Sequence, residues 1–517
     1  MAMNAVELNS NYLKKNYSIS ELAEILQREK ETGKKIVLCH GVFDLLHPGH
    51  ILHFKAAKRL GDILVVTVTP DRFVNKGPGR PYFNQRLRIE SLSALQSVDY
   101  VALNEWPTAV ETIRRLKPDV YAKGSDYADP SQDLTGKIAF EIAAVKEVGG
   151  QIVFTSEETF SSTNLLNQFF TTYPPETEVF LQKFRKEHSA DEIINCLRSL
   201  SDLKVVVVGE SILDQYCYCN PLGMSPKEGI ITTRFMSEEN FAGGTLAIAN
   251  HVAGFCNDVT LVTCLGQDQG TRDFITSKLL PNVKLEAVIT ENRPTIIKRR
   301  FLEPTFLKKM FEIQWLDESL LPDLIERKVM KNIAEAIPGA DVVIIADYGH
   351  GLFTENLRSL LCDSDKFLAV NVQSNSANFG FNLISKYSRA DYVCIDELEL
   401  KLASQSLHSH FQTVARQVLK KLKAQRIIVT RGYKGALLMN QKNEPVEVPV
   451  ASTKVLDRVG AGDAFFAITA PCAFKNYDDS VLGFIGNCVG ALAVNIVCNK
   501  EPVNPVLLYK FINSLLK

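Results

Sequence analysis

The sequence carries almost no net charge: 58 Lys plus Arg stand against 59 Asp plus Glu, a formal −1. It also lacks a long Lys/Arg tract, so the electrostatic footprint that phosphate-backbone binding requires is missing and nucleic acid is not an expected partner. The start, Met1 to Ser18, contains no apolar core of the length a secretory signal needs, which makes the cytoplasm the expected compartment. Among 11 cysteines only Cys217 and Cys219 lie close together, and no second pair completes a zinc site. Thiols in apolar runs such as Ile36-Val37-Leu38-Cys39 read as buried side chains. There is no short repeat and no low-complexity segment. No GxxxxGK[ST] motif occurs, so any nucleotide must be held by another device. Long uncharged runs are equally scarce. The one from Val481 to Cys498 reaches the length of a membrane span, about 18 residues, but its Gly483, Gly486, Asn487, Gly490 and Asn495 predict a helix packed inside a domain, with no membrane partner.

What is present is material for large cores: 46% hydrophobic against 23% charged residues over 517 positions. At about 150 residues per domain this length implies about two to four domains. Ser20-Glu-Leu-Ala-Glu-Ile-Leu-Gln has helical apolar spacing with Ser20 as the expected N-cap, and it leads to a short buried strand at Lys35–His40. The pattern returns at Ser189-Ala-Asp-Glu-Ile-Ile-Asn-Cys-Leu-Arg, a capped helix, followed by a strand over Leu203–Gly209. Between them Thr171-Thr-Tyr-Pro-Pro-Glu-Thr reads as a boundary, because consecutive prolines cannot continue a helix. The expected organisation is a helical lead-in (1–34), a first α/β domain (35–172), a linker and helix (173–202) and a larger α/β domain (203–517), the last either single or carrying a small lid. Further strands at 63–68, 100–103, 120–122 and 151–154 in the first domain, and at 259–262, 342–346, 367–370, 392–395 and 426–430 in the second, alternate with helical stretches. That alternation predicts parallel sheets with helices on both faces.

The first chemical constellation is Cys39-His-Gly-Val-Phe-Asp-Leu-Leu-His-Pro-Gly-His50. It follows a strand and opens a helix, so Gly41 lets backbone approach a ligand while His47 and His50 sit about one turn apart. Unpaired N–H groups and the positive helix end favour an anion there, and imidazoles can donate to phosphate oxygens as their charge grows. His53 extends the spacing, but Pro48-Gly49 reads as a bend rather than a metal-ligand helix and no Glu accompanies the histidines. His53 is expected to be a surface or packing residue.

Gly41-Val-Phe-Asp-Leu-Leu-His47-Pro-Gly-His50 resembles the signature of the cytidylyltransferase-like nucleotidyltransferases. The resemblance continues through Ala57-Lys58, Arg80-Pro81, Gln85-Arg86, Lys123-Gly-Ser-Asp126 and Phe160-Ser-Ser-Thr-Asn164, covering about residues 35 to 170. It implies a Rossmann-like fold and in-line attack of a phosphate monoester on the α-phosphorus of a nucleoside triphosphate, with pyrophosphate leaving and Mg²⁺ bridging phosphates. By this resemblance His47 and His50 contact the reacting phosphates; Gly41, Phe43, Lys58, Arg86, Ser161, Ser162 and Thr163 serve the nucleotide; Asp44 and Asp126 serve the turn or the acceptor. The motif does not separate ATP from CTP.

The second constellation is Asp457-Arg-Val-Gly460-Ala461-Gly462-Asp463, two glycines and an acid just before an apolar helical run. Backbone N–H groups at such a start can cradle a phosphoryl group, and the carboxylate can accept the proton of an attacking hydroxyl. With Val207-Val-Gly-Glu-Ser-Ile-Leu-Asp214, Ala242-Gly243-Gly244, Ala249-Asn250, Asp347-Tyr-Gly-His-Gly351 and Val429-Thr-Arg-Gly432 in the same order, residues 203 to 500 resemble the ribokinase-like (PfkB) sugar kinases. That resemblance implies Asp463 as base, Gly460, Ala461 and Gly462 as anion hole, Thr430 and Gly432 in the nucleotide site, and Asp214, Gly243, Gly244 and Asn250 at the sugar. Several positions depart from the heptose-kinase pattern: Ala247 stands where a sugar-binding Asn is found, Asn371-Val-Gln373 replaces Asp-Pro-Lys, and Asp396-Glu-Leu-Glu399 replaces Asn-x-x-Glu. The last pair keeps oxygen ligands for Mg²⁺, held indirectly.

Together the modules resemble the bifunctional heptose-phosphate kinases/heptose-1-phosphate adenylyltransferases, which make ADP-heptose for bacterial lipopolysaccharide, with the domain order reversed. The implied function is nucleotidyl transfer from ATP to a sugar 1-phosphate plus ATP-dependent sugar phosphorylation. The alternative is a cytidylyltransferase using CTP and an alcohol phosphate such as glycerol phosphate, with a regulatory kinase-like half. Small-molecule sugar phosphates and nucleoside triphosphates are the expected partners under the first reading, and the kinase resemblance adds a homodimer.

Overall fold

A computed structural model describes residues 15–74, 77–78, 80–124, 137–155, 173–404, 410–442, 444–452 and 454–517. The chain divides into two compact units, one comprising residues 1–172, 509–515 and 517, the other residues 173–508 and 516.

The first unit holds one parallel sheet, ordered β1-β4-β3-β2-β5-β6. Its strands are β1 (Asn16–Tyr17), β2 (Ile36–Gly41), β3 (Ile63–Val68), β4 (Tyr100–Leu103), β5 (Val120–Gly124) and β6 (Gln151–Thr155). β2 and β3 are continuous apolar runs because both faces are covered: Ile36, Leu38 and Val65 point into one core, Val37, Cys39, Leu64 and Val66 into the other. The expected lead-in is part of this unit. Tyr17 pairs with Ala102, and the helix Ile19–Glu31 buries Ile19, Leu22 and Leu26. Its N-cap is Ser18 rather than Ser20, since Ser18 and Glu21 form a reciprocal capping box. Strand order reverses between β2 and β5, which makes the carboxyl end of β2 the switch point where ligands of open α/β sheets bind.

The second unit has a nine-stranded sheet, β11-β10-β7-β14-β15-β16-β17-β18-β19, and a four-stranded sheet, β13-β12-β8-β9. The large sheet contains β7 (Lys204–Gly209), β10 (Asp258–Gly266), β11 (Val283–Thr290), β14 (Val342–Asp347), β15 (Phe367–Val372), β16 (Tyr392–Asp396), β17 (Arg426–Thr430), β18 (Ala436–Asn440) and β19 (Val446–Val448). It is parallel from β11 to β17 and antiparallel at the β18 and β19 edge. The small sheet contains β8 (Ser211–Met224), β9 (Ile231–Gly244), β12 (Ile296–Glu303) and β13 (Lys308–Trp315). Residues 173–202 form two helices of this unit, Pro175–Glu187 and Ala190–Arg198, the second capped by Ser189 and Glu192. The uncharged run begins within the buried helix Asp479–Ala493; among the described residues no helix is long and apolar enough to cross a membrane.

Candidate functional site: two helix heads at the carboxyl ends of parallel strands

In the first unit the turn after β2 is shaped by one close contact. Phe43 adopts a left-handed conformation (φ 49°), and its ring lies so near Gly41 that a Cβ there would sit 2.9 Å from Phe43 Cζ. The ring then meets the His50 imidazole edge-on at 5.4 Å. Pro48 is the first residue of the helix Pro48–Lys58, so the expected bend is the helix start itself, with His47 as its N-cap in extended conformation. His47 and His50 stack, with ring centroids 3.9 Å apart, at the positive end of that helix. His53 packs: its Nδ1 is 2.8 Å from Thr155 Oγ1, and burial, with the Lys123 cation, pushes its pKa down to about 4.

Asp44 is buried and accepts from the Phe83 N–H at 2.9 Å, with Arg80 Nη1 at 3.6 Å from its other oxygen. It organises the turn. Two cations do not converge on the histidines. Lys58 lies at the far end of the same helix, about 15 Å along its axis at 1.5 Å per residue, and its ammonium sits 2.5 Å from Asp99 Oδ2. Arg86 is exposed in the first turn of the helix Gln85–Ser93. Asp126, Ser161, Ser162 and Thr163 lie outside the described residues.

Sequence reasoning missed Arg88. It is fully buried and donates to the carbonyls of Phe83, Val42 and Thr69 and to Asp71 Oδ1, clamping the loops on both sides of the site. The signal was available, because Arg88 and the buried Leu92 are four apart and share the inner helix face. Lys123 of the same motif is paired with Glu141 at 2.9 Å, and Glu141 also accepts from the Tyr121 hydroxyl at 3.0 Å.

In the second unit Gly460, at φ 84°, is the N-cap of the helix Ala461–Phe474, and a Cβ on it would meet Asn499 Oδ1 at 2.0 Å. Gly462 is different: nothing lies within 4 Å of where its Cβ would be. The same holds for Gly432, a φ 57° residue just after Thr430, which ends β17. The Ala461 N–H donates to the Arg458 carbonyl at 3.4 Å, so space and unpaired helix-start N–H groups coincide at Gly462 and Asp463. Asp463 accepts a hydrogen bond from the Tyr348 hydroxyl at 3.0 Å. The surrounding protein lifts its carboxyl to about 7; the Tyr348 bond opposes the rise, the Asp214 carboxylate adds to it, and the Lys298 ammonium opposes it. A carboxylate so tuned suits a general base near neutral pH.

Asp214, on β8, is buried against Gly243 of the paired β9; a Cβ on Gly243 would come within 1.9 Å of Asp214 Oδ2. Arg300 Nη1 holds the other carboxylate oxygen at 2.5 Å. Gly244, at φ 59°, passes close over the Glu210 carbonyl. Asn250 is brought elsewhere: its amide bonds the Lys278 carbonyl and the Leu280 N–H, both at 2.9 Å, so it tethers a loop. Ala247 is buried in the helix Thr245–Ala253, and Asn371 Nδ2 donates to the Cys394 carbonyl at 2.8 Å. Gln373 uses its backbone on Asp347 and Asn382.

Asp396 and Glu399 form a reciprocal cap: Glu399 N–H donates to Asp396 Oδ1 at 2.7 Å and Asp396 N–H to Glu399 Oε2 at 2.8 Å. Glu399 Oε1 accepts from Ser374 N–H, and burial, with the Asp396 charge beside it, raises its pKa to about 8. Glu399 is thus committed to backbone donors. The exposed Asp396 keeps Oδ2 outside the box, which fits a hydrated Mg²⁺ held through water. Among the described residues no group of three His, Cys, Asp or Glu is arranged to hold a metal directly.

The chain belongs to the pfkB family carbohydrate kinases, whose match covers residues 202–497, more than half of its length. Residues 38–168 match the cytidylyltransferase-like family. Over that first region the chain is similar to bacterial proteins named bifunctional protein HldE. It is 39% identical over 158 residues to that of Desulfatibacillum aliphaticivorans (30% of this chain, 31% of that one) and 39% over 150 residues to that of Gluconobacter oxydans (29% and 30%). The matched segment thus spans about a third of the length of these curated relatives. The domain order is the reverse of theirs. Phosphofructokinase-2 from Escherichia coli in complex with potassium shares the fold of the second unit, with a TM-score of 0.50 at 17% identity over 60% of this chain and 99% of that one. The same enzyme in complex with substrates and products aligns alike, at 0.50 and 17%, covering 61% of this chain and 100% of that one. The chain therefore joins a nucleotidyltransferase domain to a PfkB carbohydrate kinase domain.

Proposed function

We propose that the chain is a bifunctional enzyme of sugar-nucleotide synthesis. The first unit transfers a nucleotidyl group from ATP to a sugar 1-phosphate, a heptose phosphate in the first instance, with release of pyrophosphate. The second phosphorylates a sugar or sugar phosphate with ATP. The observation that carries this reading is the pairing at two separate helix heads: stacked His47 and His50 at one, Asp463 on Tyr348 beside the open space at Gly462 at the other.

In the first unit the imidazoles and helix-start N–H groups receive the α-phosphate region and stabilise charge that builds as pyrophosphate leaves. Phe43 and Asp44 hold the turn in place. In the second, Asp463 takes the acceptor hydroxyl proton, Gly460 to Gly462 present N–H groups to the moving phosphoryl group, Thr430 and Gly432 border the nucleotide, and Asp214 orients the sugar. Mg²⁺ would neutralise phosphate charge when bound, with Asp396 reaching it through water. A cytoplasmic setting and a homodimer belong to the same proposal; sedimentation of the full chain tests the latter.

A second reading is favoured by one set of observations: Ala247 and Asn371 offer the acceptor little, since the first is apolar and the second is spent on a backbone carbonyl. Under it the first unit is a cytidylyltransferase on an alcohol phosphate and the second a sensor. Pyrophosphate release measured with ATP, CTP, GTP and UTP against sugar 1-phosphates and alcohol phosphates separates the two. Turnover with ATP and a heptose 1-phosphate is expected; turnover confined to CTP and glycerol phosphate would replace the first reading by the second.

A further inference from the structure

The order of the large sheet reverses between β7 and β14, whose neighbours lie on opposite sides. A crevice at such a reversal, outside the carboxyl ends of the strands, is where ligands of open parallel sheets bind. A small cavity opens there, lined in part by Glu210, Ser211, Cys264, Thr290, Arg293 and His350.

His350 is the anomaly in its wall. The residue is fully buried, and neither Nδ1 nor Nε2 has a hydrogen-bond partner. Buried polar atoms are nearly always paired, so two unpaired atoms on one ring call for a group from outside. The rest of the wall supplies none. Glu210 accepts from the N–H groups of Tyr348, His350 and Leu352. Thr290 Oγ1 is bound to the Leu265 and Arg293 carbonyls, and Ser211 Oγ to Thr263. The Arg293 guanidinium is folded onto the carbonyls of Asp317, Ser319 and His350.

The chemistry of the missing group follows from the ring. Burial holds its pKa down to about 4, with the Lys298 and Arg293 cations adding to the effect, so the imidazole is neutral at pH 7. It then offers one donor and one acceptor. An unprotonated phosphate oxygen could meet only the donor and an ammonium only the acceptor, whereas hydroxyl groups meet both. The cavity also flanks the proposed transfer site: Tyr348, two residues before His350, holds Asp463, and Lys298 faces Asp214 in register across β12 and β8.

We propose that this cavity receives a hydroxyl-bearing exocyclic arm of the acceptor sugar and that His350 is the residue that selects for it. The inference rests on the kinase reading of this unit and narrows its substrate class to acceptors with a hydroxylated side arm.

The test uses the full chain and two sugar pairs that differ by one exocyclic hydroxyl, D-mannose with 6-deoxy-D-mannose and D-glucose with 6-deoxy-D-glucose. Binding is followed by NMR of ¹⁵N-labelled histidine, with the His350 signal assigned from its loss in His350→Gln, and ATP consumption is measured in parallel. In at least one pair the hydroxylated sugar is expected to shift the His350 ring resonances and to bind about tenfold tighter or more than its deoxy partner, the scale of a lost hydrogen bond in a site built for it. His350→Phe should abolish that preference and His350→Gln restore part of it. Phosphorylation without ring shifts or hydroxyl preference would overturn the pocket and leave the kinase reading standing; a resident water satisfying His350 gives this result. Ring shifts and hydroxyl preference without ATP consumption would support the pocket and sink the kinase reading. Binding of neither sugar in either pair would overturn the pocket, and phosphorylation of a sugar phosphate would then show separately whether the kinase reading survives. Because the preference is read on the unsubstituted chain, it does not depend on a variant folding.

Discussion

The Tyr348 hydroxyl donates to Asp463 Oδ1 at 3.0 Å, joining the turn after β14 to the head of the helix Ala461–Phe474. The bond stabilises the ionised carboxylate, whose pKa the surrounding protein lifts to about 7. If Asp463 is the base, kinase activity rises with pH through about 7 and then levels. Tyr348→Phe removes the opposing hydrogen bond, so the midpoint of that rise is expected to move upward by about one pH unit, the scale of a hydrogen bond to a charged group. A pH–rate profile of both proteins checks this, and an unmoved midpoint would separate the phenol from the base.

Asp463→Asn should abolish ATP-dependent phosphorylation and leave pyrophosphate release unchanged, because the His47 and Asp463 sites occupy different units. Equal loss of both activities would contradict independent sites. The same substitution has a stability consequence. The folded carboxyl keeps its proton between its ordinary pKa of 3.8 and about 7, while the unfolded chain releases it. Stability from this group therefore falls as pH rises through that window. Asn carries no such penalty, so the variant is expected to unfold later than its parent at pH 8, by on the order of 2 kcal/mol, and to lose that advantage near pH 4. Urea unfolding at the two pH values reads it.

Gly460 and Gly462 separate fold from function within three residues. Gly460→Ala puts a Cβ on Asn499 and forces a left-handed φ on a residue that resists it, so stability falls by about 1–3 kcal/mol. Gly462→Ala has helical backbone and open space. It should fold at least as well as the parent yet lose most phosphoryl transfer, since the methyl projects where the phosphoryl group is proposed to approach. Full activity in Gly462→Ala would mean that the space is not used.

The parallel strands were legible because runs such as Ile36–Cys39 and Val205–Val208 are apolar on both faces, which only a covered sheet permits. The four-stranded sheet was not legible in the same way. β8 and β9 run through Asn220-Pro221-Leu222-Gly223 and Arg234-Phe-Met-Ser-Glu-Glu239, whose exposed residues break the alternation that marks a half-buried strand. At the sites, the glycines and Asp463 stood out because helix heads demand those residue types. Asn250 and Lys58 have protein partners that the sequence could not show, because an amide or an ammonium suits a backbone carbonyl or an aspartate as well as a ligand. Tyr348, Lys298 and His350 gain their roles from neighbours more than a hundred residues away or from a cavity, neither of which spacing reveals.

His47→Ala and His50→Ala are each expected to lower pyrophosphate release by about 10²–10³, the loss typical of one donor to a developing charge. Lys58→Met should lower it far less. Its ammonium is bound to Asp99 in a pair about one-third exposed on both sides, a setting that contributes about 1 kcal/mol or less. Steady-state assays on the three variants decide it, and a Lys58→Met loss as deep as that of His47→Ala would mean that the lysine leaves Asp99 to reach the triphosphate.

Arg88 gives the sharpest contrast with its exposed neighbour Arg86. Its guanidinium is wholly buried and supplies donors to three carbonyls from two loops, Val42 before the histidines and Thr69 and Phe83 on the other side. Arg88→Met keeps the apolar stem but strands those carbonyls and the Asp71 carboxylate, a loss of about 3–5 kcal/mol by the precedent of broken buried pairs. The loss falls on the first unit. Pyrophosphate release should therefore fail with a lowered first unfolding transition, while the kinase activity and its transition persist. Arg88→Lys should rescue little, because an ammonium cannot span the planar fork of acceptors that a guanidinium meets. Arg86→Met is expected to leave stability within about 0.5 kcal/mol. Calorimetry of the three variants beside both assays tests the assignment; an Arg88→Met protein that unfolds like its parent and still releases pyrophosphate would show that the loops hold the histidines without it.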